Sequence, residues 1–468
     1  MNDPAAPAAR PLAPSPSAPA PLAIVILAAG KGTRMKSARH KVLHEIAGRP
    51  MIEHLLATLE ELAPERIVVV VGEGRDQVEA QLAGRAELAV QQPQLGTGHA
   101  VLQAQGALEG FAGNVLVLYG DVPFVRAETM RAMLDRLQAE DGPRAVVLGS
   151  EPADPLNYGR IIAESGRIAK MVEHKDASEA ERACRLCNSG VLAAPADALF
   201  DLLGEVGNDN AGGEYYLPDI VNIAIARGQL CAVVVTDDPD EVAGINSRAE
   251  LAAAEARWQQ QRRARAMEEG ATLVAPETVF FSWDTVLGRD VLVEPHVVFG
   301  PGVEVADQVV IHGFCHIAGA RLERGVSVGP FARLRPGSVL EEGSRVGNFV
   351  EMKQAVLGPG AKANHLTYLG DAAVGAGANI GAGTITCNYD GYFKHRTEIG
   401  PRAFIGSNSA LIAPIRIGAD AIVAAGSAVS RDVAEGELRM VRAEQMVKPG
   451  WADRFHDAMK KKKVAGKE

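Results

Sequence analysis

The chain has 468 residues, 47% hydrophobic and 23% charged. That is the balance of a globular protein too long for one ordinary core, so two or three domains are expected. A net charge of −10 excludes a generally basic nucleic-acid binder. No window offers the roughly 18 uncharged apolar residues of a membrane span, so no integral membrane association is expected. Five cysteines make no disulfide framework and point to a reducing, cytoplasmic setting.

Residues 1–21 contain seven prolines and seven alanines and almost no charge. They hold no apolar secretory core and are read as a disordered leader. From 22 to 245, short apolar runs at 22–27, 66–71, 115–118, 145–148 and 231–235 read as buried strands, with helices over 51–62 and 127–137. Such alternation predicts an α/β domain around a mostly parallel sheet. Residues 246–270 form a linker helix: Ser247 and Glu250 fit a capping box, Leu251, Ala254 and Trp258 share a face, and Gly270 ends it. Its Arg257, Arg262, Arg263 and Arg265 read as a solvated face rather than a phosphate site.

Beyond Gly270 the texture changes: 22 of the 49 glycines lie between 284 and 430. Aliphatic residues recur every six positions, at Val291, Val297, Val303 and Val309, at Val328, Leu334, Leu340, Val346 and Met352, at Tyr368, Val374, Ile380 and Thr386, and from Ile399 to Val429. A sustained period of six predicts a parallel β-helix over 271–455, each hexad giving one inward aliphatic, one short strand and one corner. The period slips twice. Thr386 to Ile399 is a step of 13, across a polar and aromatic loop at 388–397; the other slip, between Met352 and Tyr368, contains His365. Irregular loops on a rigid rod are where function tends to sit. The Lys-rich tail, 456–468, reads as a solvated, frayed terminus.

Candidate chemistry comes in two sets. Residues 27–35 (LAAGKGTRM) follow the first strand, where a Gly-rich turn exposes backbone N–H groups to an anion and Lys31, Arg34 and Lys41 add positive charge. Such turns also occur without ligands, and this one is neither a Walker A loop nor a dinucleotide fingerprint. Asp121, in the YGD at the end of another strand, is placed either to hold Mg²⁺ or to cap a turn. The Cys184/Cys187 pair has no partner pair at zinc spacing and is not expected to bind metal. His365 is either a surface histidine or a base.

The motifs at 27–35, 41–43 (KVL), 94–99 (QLGTGH), 119–121, 158–160 (YGR), 173–176 (EHKD), 188–190 (NSG), 213–216 (GEYY) and 244–246 (GIN) resemble a sugar-1-phosphate nucleotidyltransferase. Those at 331–337 (FARLRPG), 362–371 (KANHLTYLGD) and 379–390 (NIGAGTITCNYD) are similar to a hexapeptide acetyltransferase. Both sets in this order, over 22–455, resemble the bacterial family that is both glucosamine-1-phosphate acetyltransferase and N-acetylglucosamine-1-phosphate uridyltransferase. The resemblance implies a Rossmann-like nucleotidyltransferase domain followed by a left-handed β-helix, and a homotrimer through the rod. Leu27, Ala28, Ala29, Gly30, Gln91, Gly96 and Thr97 would line the uridine side of UTP, with Arg34 and Lys41 catalytic and Lys41 facing the phosphates. Tyr119, Gly120, Gly159, Glu173 and Asn188 would bind substrate, and Asp121 and Asn246 would carry Mg²⁺. In the rod, His365 would be the general base; an imidazole, ordinary pKa about 6.5, suits that role at neutral pH. Arg335 and Lys353 would bind the sugar phosphate, and Tyr368 and Asn379 the sugar. Ala382, Asn388, Tyr389, Ser407, Ala425 and Arg442 would line the acetyl-CoA groove.

The implied activity is acetyl transfer to glucosamine-1-phosphate, then uridylyl transfer, yielding UDP-N-acetylglucosamine for peptidoglycan and lipopolysaccharide. Three departures from the family pattern are His40 before Lys41, Asn157 before Tyr158 and Asn364 beside His365. Two other readings stay open: a non-catalytic regulatory subunit of the same layout, and a related nucleotidyltransferase whose rod only oligomerises. Intact Lys41, Asp121, Asn246 and His365 weigh against the first; the set Arg335, Lys353, His365 and Tyr368 weighs against the second.

Overall fold

The computed structural model describes residues 20–155 and 157–465. The disordered-leader reading falls almost wholly on residues 1–19, outside the described residues. The chain divides into two compact units, 1–258 and 259–468, and the helix Arg248–Glu268 crosses the division.

The first unit is built on a nine-stranded sheet in the order Glu87–Val90, Arg66–Val71, Leu22–Ala28, Asn114–Tyr119, Cys187–Pro195, Ala145–Ser150, Cys231–Val235, Arg167–Val172, Arg160–Glu164. Leu22–Ala28 pairs in parallel with both neighbours, whereas Cys187–Pro195 runs antiparallel between its own. Every residue of Leu22–Ala28 is buried. Because side chains alternate across a strand, Ala23, Val25 and Leu27 join one core while Leu22, Ile24, Ile26 and Ala28 join another on the opposite face. Full burial of each aliphatic is worth about 1.5–3 kcal/mol, and burial on both faces explains a run without polar alternation.

Helices Met51–Glu60 and Ala127–Leu137 form as expected. Four strands of this sheet were not anticipated: Glu87–Val90, Arg160–Glu164, Arg167–Val172 and Cys187–Pro195. Three carry charged residues along the run (Glu87; Arg160 and Glu164; Arg167 and Lys170), and the fourth carries Asn188 and Ser189. None therefore reads as a continuous apolar segment.

In the second unit the strand pairings are parallel, coil upon coil, consistent with a left-handed β-helix. Val293 pairs with Ile311, Ile311 with Val328, Val328 with Val346, Val346 with Ala363 and Ala363 with Ile380, so a coil takes 17 or 18 residues. Ile380 then pairs with Ile405, a longer coil that carries the 388–397 loop. The inward residues are buried as the period predicts, with one correction. Tyr368 is only half-buried, and Leu369 takes the inward place, paired with Met352 and fully buried. A hexad shortened by one residue shifts the inward position and turns Tyr368 outward.

One corner of the rod repeats through His296, Phe314, Phe331, Phe349 and Leu366, with φ of +61, +62, +56, +55 and +51°. Left-handed backbone costs a non-glycine residue roughly 1–2 kcal/mol. The successive rings of His296, Phe314, Phe331 and Phe349 stack at 4.7, 4.9 and 5.2 Å between centroids, which returns about 0.5–1.5 kcal/mol per pair.

Two sequence readings are corrected in detail. Among the linker-helix arginines Arg265 is solvated as expected, whereas Arg257, Arg262 and Arg263 are partly buried and engaged within the protein. Arg257 pairs with Asp238 and Asp240, Arg263 donates to the carbonyls of Glu277 and Val279, and Arg265 pairs with Glu269. Arg262 is largely buried, donates to the Thr285 carbonyl and lies over the Phe281 ring. The Lys-rich tail is not frayed through its described part: Trp451–Ala465 is a helix with no buried residue, and 466–468 lie outside the described residues. No helix among the described residues is long and apolar enough to cross a membrane.

Two candidate active sites

The first site lies where parallel strands end. A cleft of about 410 Å³ is lined by Leu27, Ala28, Ala29, Gly30, Lys41, Gln91, Gly96, Thr97, Tyr119 and Asp121, ten of the residues singled out in the sequence. It is also lined by Val42, Gln94 and Glu214, which lie in the quoted motifs but were given no role, and by Ala100, just beyond the 94–99 motif. The Gln94 amide donates to the Ala29 carbonyl and ties the two loops together. A wider neighbouring cleft of about 710 Å³ shares Gln91 and Gln94 and takes in Lys31 and the 72–76 loop.

Two glycines are required here. Gly32 has φ +58°, and a Cβ on it would come within 2.8 Å of the Lys41 Cβ. Gly96 has φ +114°, and its Cβ would strike the Tyr215 backbone at 2.6 Å. The Gly-rich turn thus packs directly on the stem of Lys41. Arg34, by contrast, stands exposed in the turn Thr33–Met35, away from the cleft lining.

The decisive geometry is around Lys41. Its ammonium lies 2.5 Å from Asp121 Oδ2 and 3.1 Å from Asn246 Oδ1. The Ile245 amide donates to the Asp121 carbonyl at 2.9 Å, which holds Asn246 beside that strand end from over a hundred residues away. Gly120 lies against Val42 and Ala28 beneath this group. Among the described residues no three His, Cys, Asp or Glu side chains form a metal cage. One carboxylate and one amide oxygen converging on a cation is nonetheless a hard, partial donor set of the kind Mg²⁺ completes with phosphate and water.

Gly159, Glu173 and Asn188 gather farther along. The Asn188 amide donates to the Gly159 carbonyl at 2.9 Å, and a Cβ on Gly159 would sit 3.2 Å from Glu173 Oε1. Burial, then the charges of Asp219 and Asp176, raises the Glu173 carboxyl above its ordinary pKa. Burial, with Asp121 and Glu173 nearby, raises Tyr119, whose hydroxyl bonds Thr97. His40 is 8% exposed and neither ring nitrogen has a hydrogen-bond partner; burial, Lys41 and His44 hold it neutral below its usual pKa. The Cys184 and Cys187 thiols are free and donate to the carbonyls of Ile161 and Arg185.

The second site lies on the rod. His365 ends the strand Lys362–His365, exposed, with Nδ1 2.8 Å from Asn348 Oδ1 on the preceding coil. Arg335 donates to Glu351 at 2.9 Å, and Glu351 pairs in register with Tyr368. Lys353 has a neighbour that the sequence did not disclose: the like charge of Lys394, from the 388–397 loop, and then that of Arg335 lower the Lys353 ammonium pKa. Cations crowded together favour an anion beside them. A Cβ on Gly370 would meet both the Tyr368 hydroxyl and the Asn388 amide, so these two side chains are neighbours. Asn379 lies in register between Lys362 and Phe404.

Ala382, Ser407 and Ala425 each stand two residues past the paired inward positions Ile380, Ile405 and Val423. They form a column along the rod, capped by Arg442, which donates to the Ala425 carbonyl at 3.1 Å. Tyr389 is exposed on the loop, its hydroxyl donating to the Gly391 carbonyl at 2.5 Å.

Comparison with known proteins gives the family. Residues 24–189 match the MobA-like NTP transferase domain. The chain is 75% identical over 447 residues to the bifunctional protein GlmU of Novosphingobium aromaticivorans, covering 96% of this chain and 99% of that protein. The chain belongs to the bifunctional GlmU family. The GlmU of Sphingopyxis alaskensis is 71% identical over 95% of this chain and 98% of its own length, and that of Zymomonas mobilis 55% over 94% and 99%. Family membership therefore spans both units, with the uridyltransferase and acetyltransferase activities that make UDP-N-acetylglucosamine.

Proposed function

We propose that each unit carries one complete reaction centre, the rod acetylating glucosamine-1-phosphate and the α/β unit uridylylating the product. The observation that supports this most is the separate convergence of two residue sets: Lys41, Asp121 and Asn246 in one unit, His365 with Arg335, Lys353 and Lys394 in the other.

In the rod, Arg335, Lys353 and Lys394 bind the sugar phosphate as a fork and two point charges. Tyr368 and Asn379 hold the sugar, and the column of Ala382, Ser407 and Ala425, with Asn388, Tyr389 and Arg442, receives acetyl-CoA. The small side chains leave room for the pantetheine arm, and Arg442 meets the cofactor's anionic end. His365 removes the proton from the substrate ammonium, the freed amine attacks the thioester carbonyl, and CoA leaves as its thiol.

In the α/β unit, the backbone of Ala28–Gly30 with Gln91, Gly96 and Thr97 holds uridine, and Gly159, Glu173 and Asn188 hold the N-acetylated sugar. A phosphate oxygen of the sugar phosphate displaces pyrophosphate at the α-phosphorus of UTP. Both reactants are anions, so the site must supply positive charge and alignment. Mg²⁺ held by Asp121 and Asn246 supplies part of that charge when bound. Lys41, on the adjacent stem, supplies the rest at the phosphates, and Arg34 meets the triphosphate from the exposed turn. Homotrimer assembly through the rod and a cytoplasmic setting complete this reading.

The test is a pair of assays on the full chain: CoA release from acetyl-CoA, and pyrophosphate release from UTP. His365→Ala abolishes CoA release and leaves pyrophosphate release intact; Asp121→Ala does the reverse. Loss of both activities in either folded variant rejects separate centres.

A further inference from the structure

His365 and Asn348 occupy the same place on successive coils. Asn348 ends the strand Arg345–Asn348, His365 ends Lys362–His365, and the two are paired in register. Each precedes a corner residue of left-handed backbone, Phe349 at φ +55° and Leu366 at φ +51°. The coil repeat therefore delivers an amide side chain directly beneath the imidazole, with Oδ1 2.8 Å from Nδ1. An amide oxygen only accepts, so Nδ1 carries the ring proton and the lone pair is left on Nε2.

The backbone of His365 is held independently. Its carbonyl accepts from the Thr367 hydroxyl at 2.7 Å and from the Gly383 amide at 3.3 Å. Asn348 is thus the partner that sets the ring rather than the chain. The charged residues on the two strands, Arg345 and Lys362, pair with each other in register three residues before Asn348 and His365. On the coil above, residues 381–384 (GAGT) carry no charge.

We propose that Asn348 is the positioning residue of acetyl transfer. It holds His365 in the Nδ1–H tautomer and aims Nε2 at the incoming ammonium. The inference rests on the reading of His365 as the base. In the reaction Nε2 takes one proton from the ammonium while Nδ1–H stays on Asn348. The amine nitrogen forms the N–C bond, the thioester C–S bond breaks, and the departing sulfur takes the second amine proton. A neutral amide orients the imidazolium without pairing it with a full charge, so the ring gives the proton back readily at the end of each turnover.

The experiment measures CoA release against pH for the full chain and its Asn348→Ala, Asn348→Asp and His365→Ala variants, with pyrophosphate release as the control for folding. Asn348→Ala is expected to lower kcat for acetyl transfer about 10–100-fold, the usual range for groups that orient a reacting ring. The KM for glucosamine-1-phosphate and the pyrophosphate rate stay unchanged. Asn348→Asp keeps an acceptor at the same place and recovers most of kcat. Its carboxylate favours the imidazolium, so the acid limb of kcat moves up by about one pH unit. An Asn348→Ala enzyme with kcat near that of the parent, or an Asn348→Asp enzyme with an unmoved acid limb, overturns the proposal. If Asn348→Ala does not fold, the Asn348→Asp profile decides alone. Retained CoA release in His365→Ala overturns the base reading and the inference with it. An inactive His365→Ala beside an unaffected Asn348→Ala overturns the positioning role only.

Discussion

The Lys41 ammonium sits on the two oxygens assigned to the divalent cation, so Lys41→Met separates two effects of one charge. The Lys41 and Asp121 side chains are only 13% and 14% exposed, with nitrogen and oxygen 2.5 Å apart. Two unit charges ~4 Å apart attract by about 4 kcal/mol at an effective dielectric of ~20. Desolvation of both partners offsets part of this, leaving about 2 kcal/mol of competition. Removing the ammonium should therefore tighten Mn²⁺ binding in the absence of nucleotide by about 30-fold, read by titration calorimetry. On the proposed mechanism the same substitution removes the cation that faces the phosphates, so uridylyl transfer should fall by about 10²–10³ while acetyl transfer is unchanged. Asp121→Asn provides the blank for metal binding. Unchanged or weaker Mn²⁺ binding in Lys41→Met, with binding abolished in Asp121→Asn, would refute the idea that lysine and metal compete for these oxygens.

Three further outcomes follow from the same site. Glu173→Gln should raise the melting temperature at neutral pH and raise the KM for N-acetylglucosamine-1-phosphate. A carboxyl whose folded pKa is raised costs stability as pH climbs through the carboxylate range, and the amide removes that cost. His40→Leu should flatten the stability loss on acidification from pH 7 to 5: a neutral buried imidazole with a lowered pKa means that the unfolded chain binds more protons below about 6.5, so stability falls there. Thermal melts against pH show whether that slope persists in the variant. Gly32→Ala places a Cβ 2.8 Å from the Lys41 Cβ at φ +58°; a backbone cost of about 1–2 kcal/mol and a displaced lysine should lower uridylyl transfer at least tenfold and spare CoA release.

Much of the protein was legible before folding because periodicity is local. A residue every six positions has only one way to stack, so the rod and most of its inward residues followed from the sequence, as did the strand ends that carry the nucleotide cleft. The misses were of a different kind. Glu87–Val90, Arg160–Glu164 and Arg167–Val172 carry charged residues along the run, and sheet pairing rather than propensity makes them strands. Tyr368 turned outward because one hexad lost a residue. Three relationships belong to the tertiary structure alone. Lys41 meets Asn246 across 205 positions. Lys394 reaches Lys353 because a loop leaves the rod. Asn348 meets His365 because a coil closes after 17 residues. Motif spacing names the reacting groups; what orients and charges them is set by the closure of sheets and coils, which brings together positions that local sequence cannot relate.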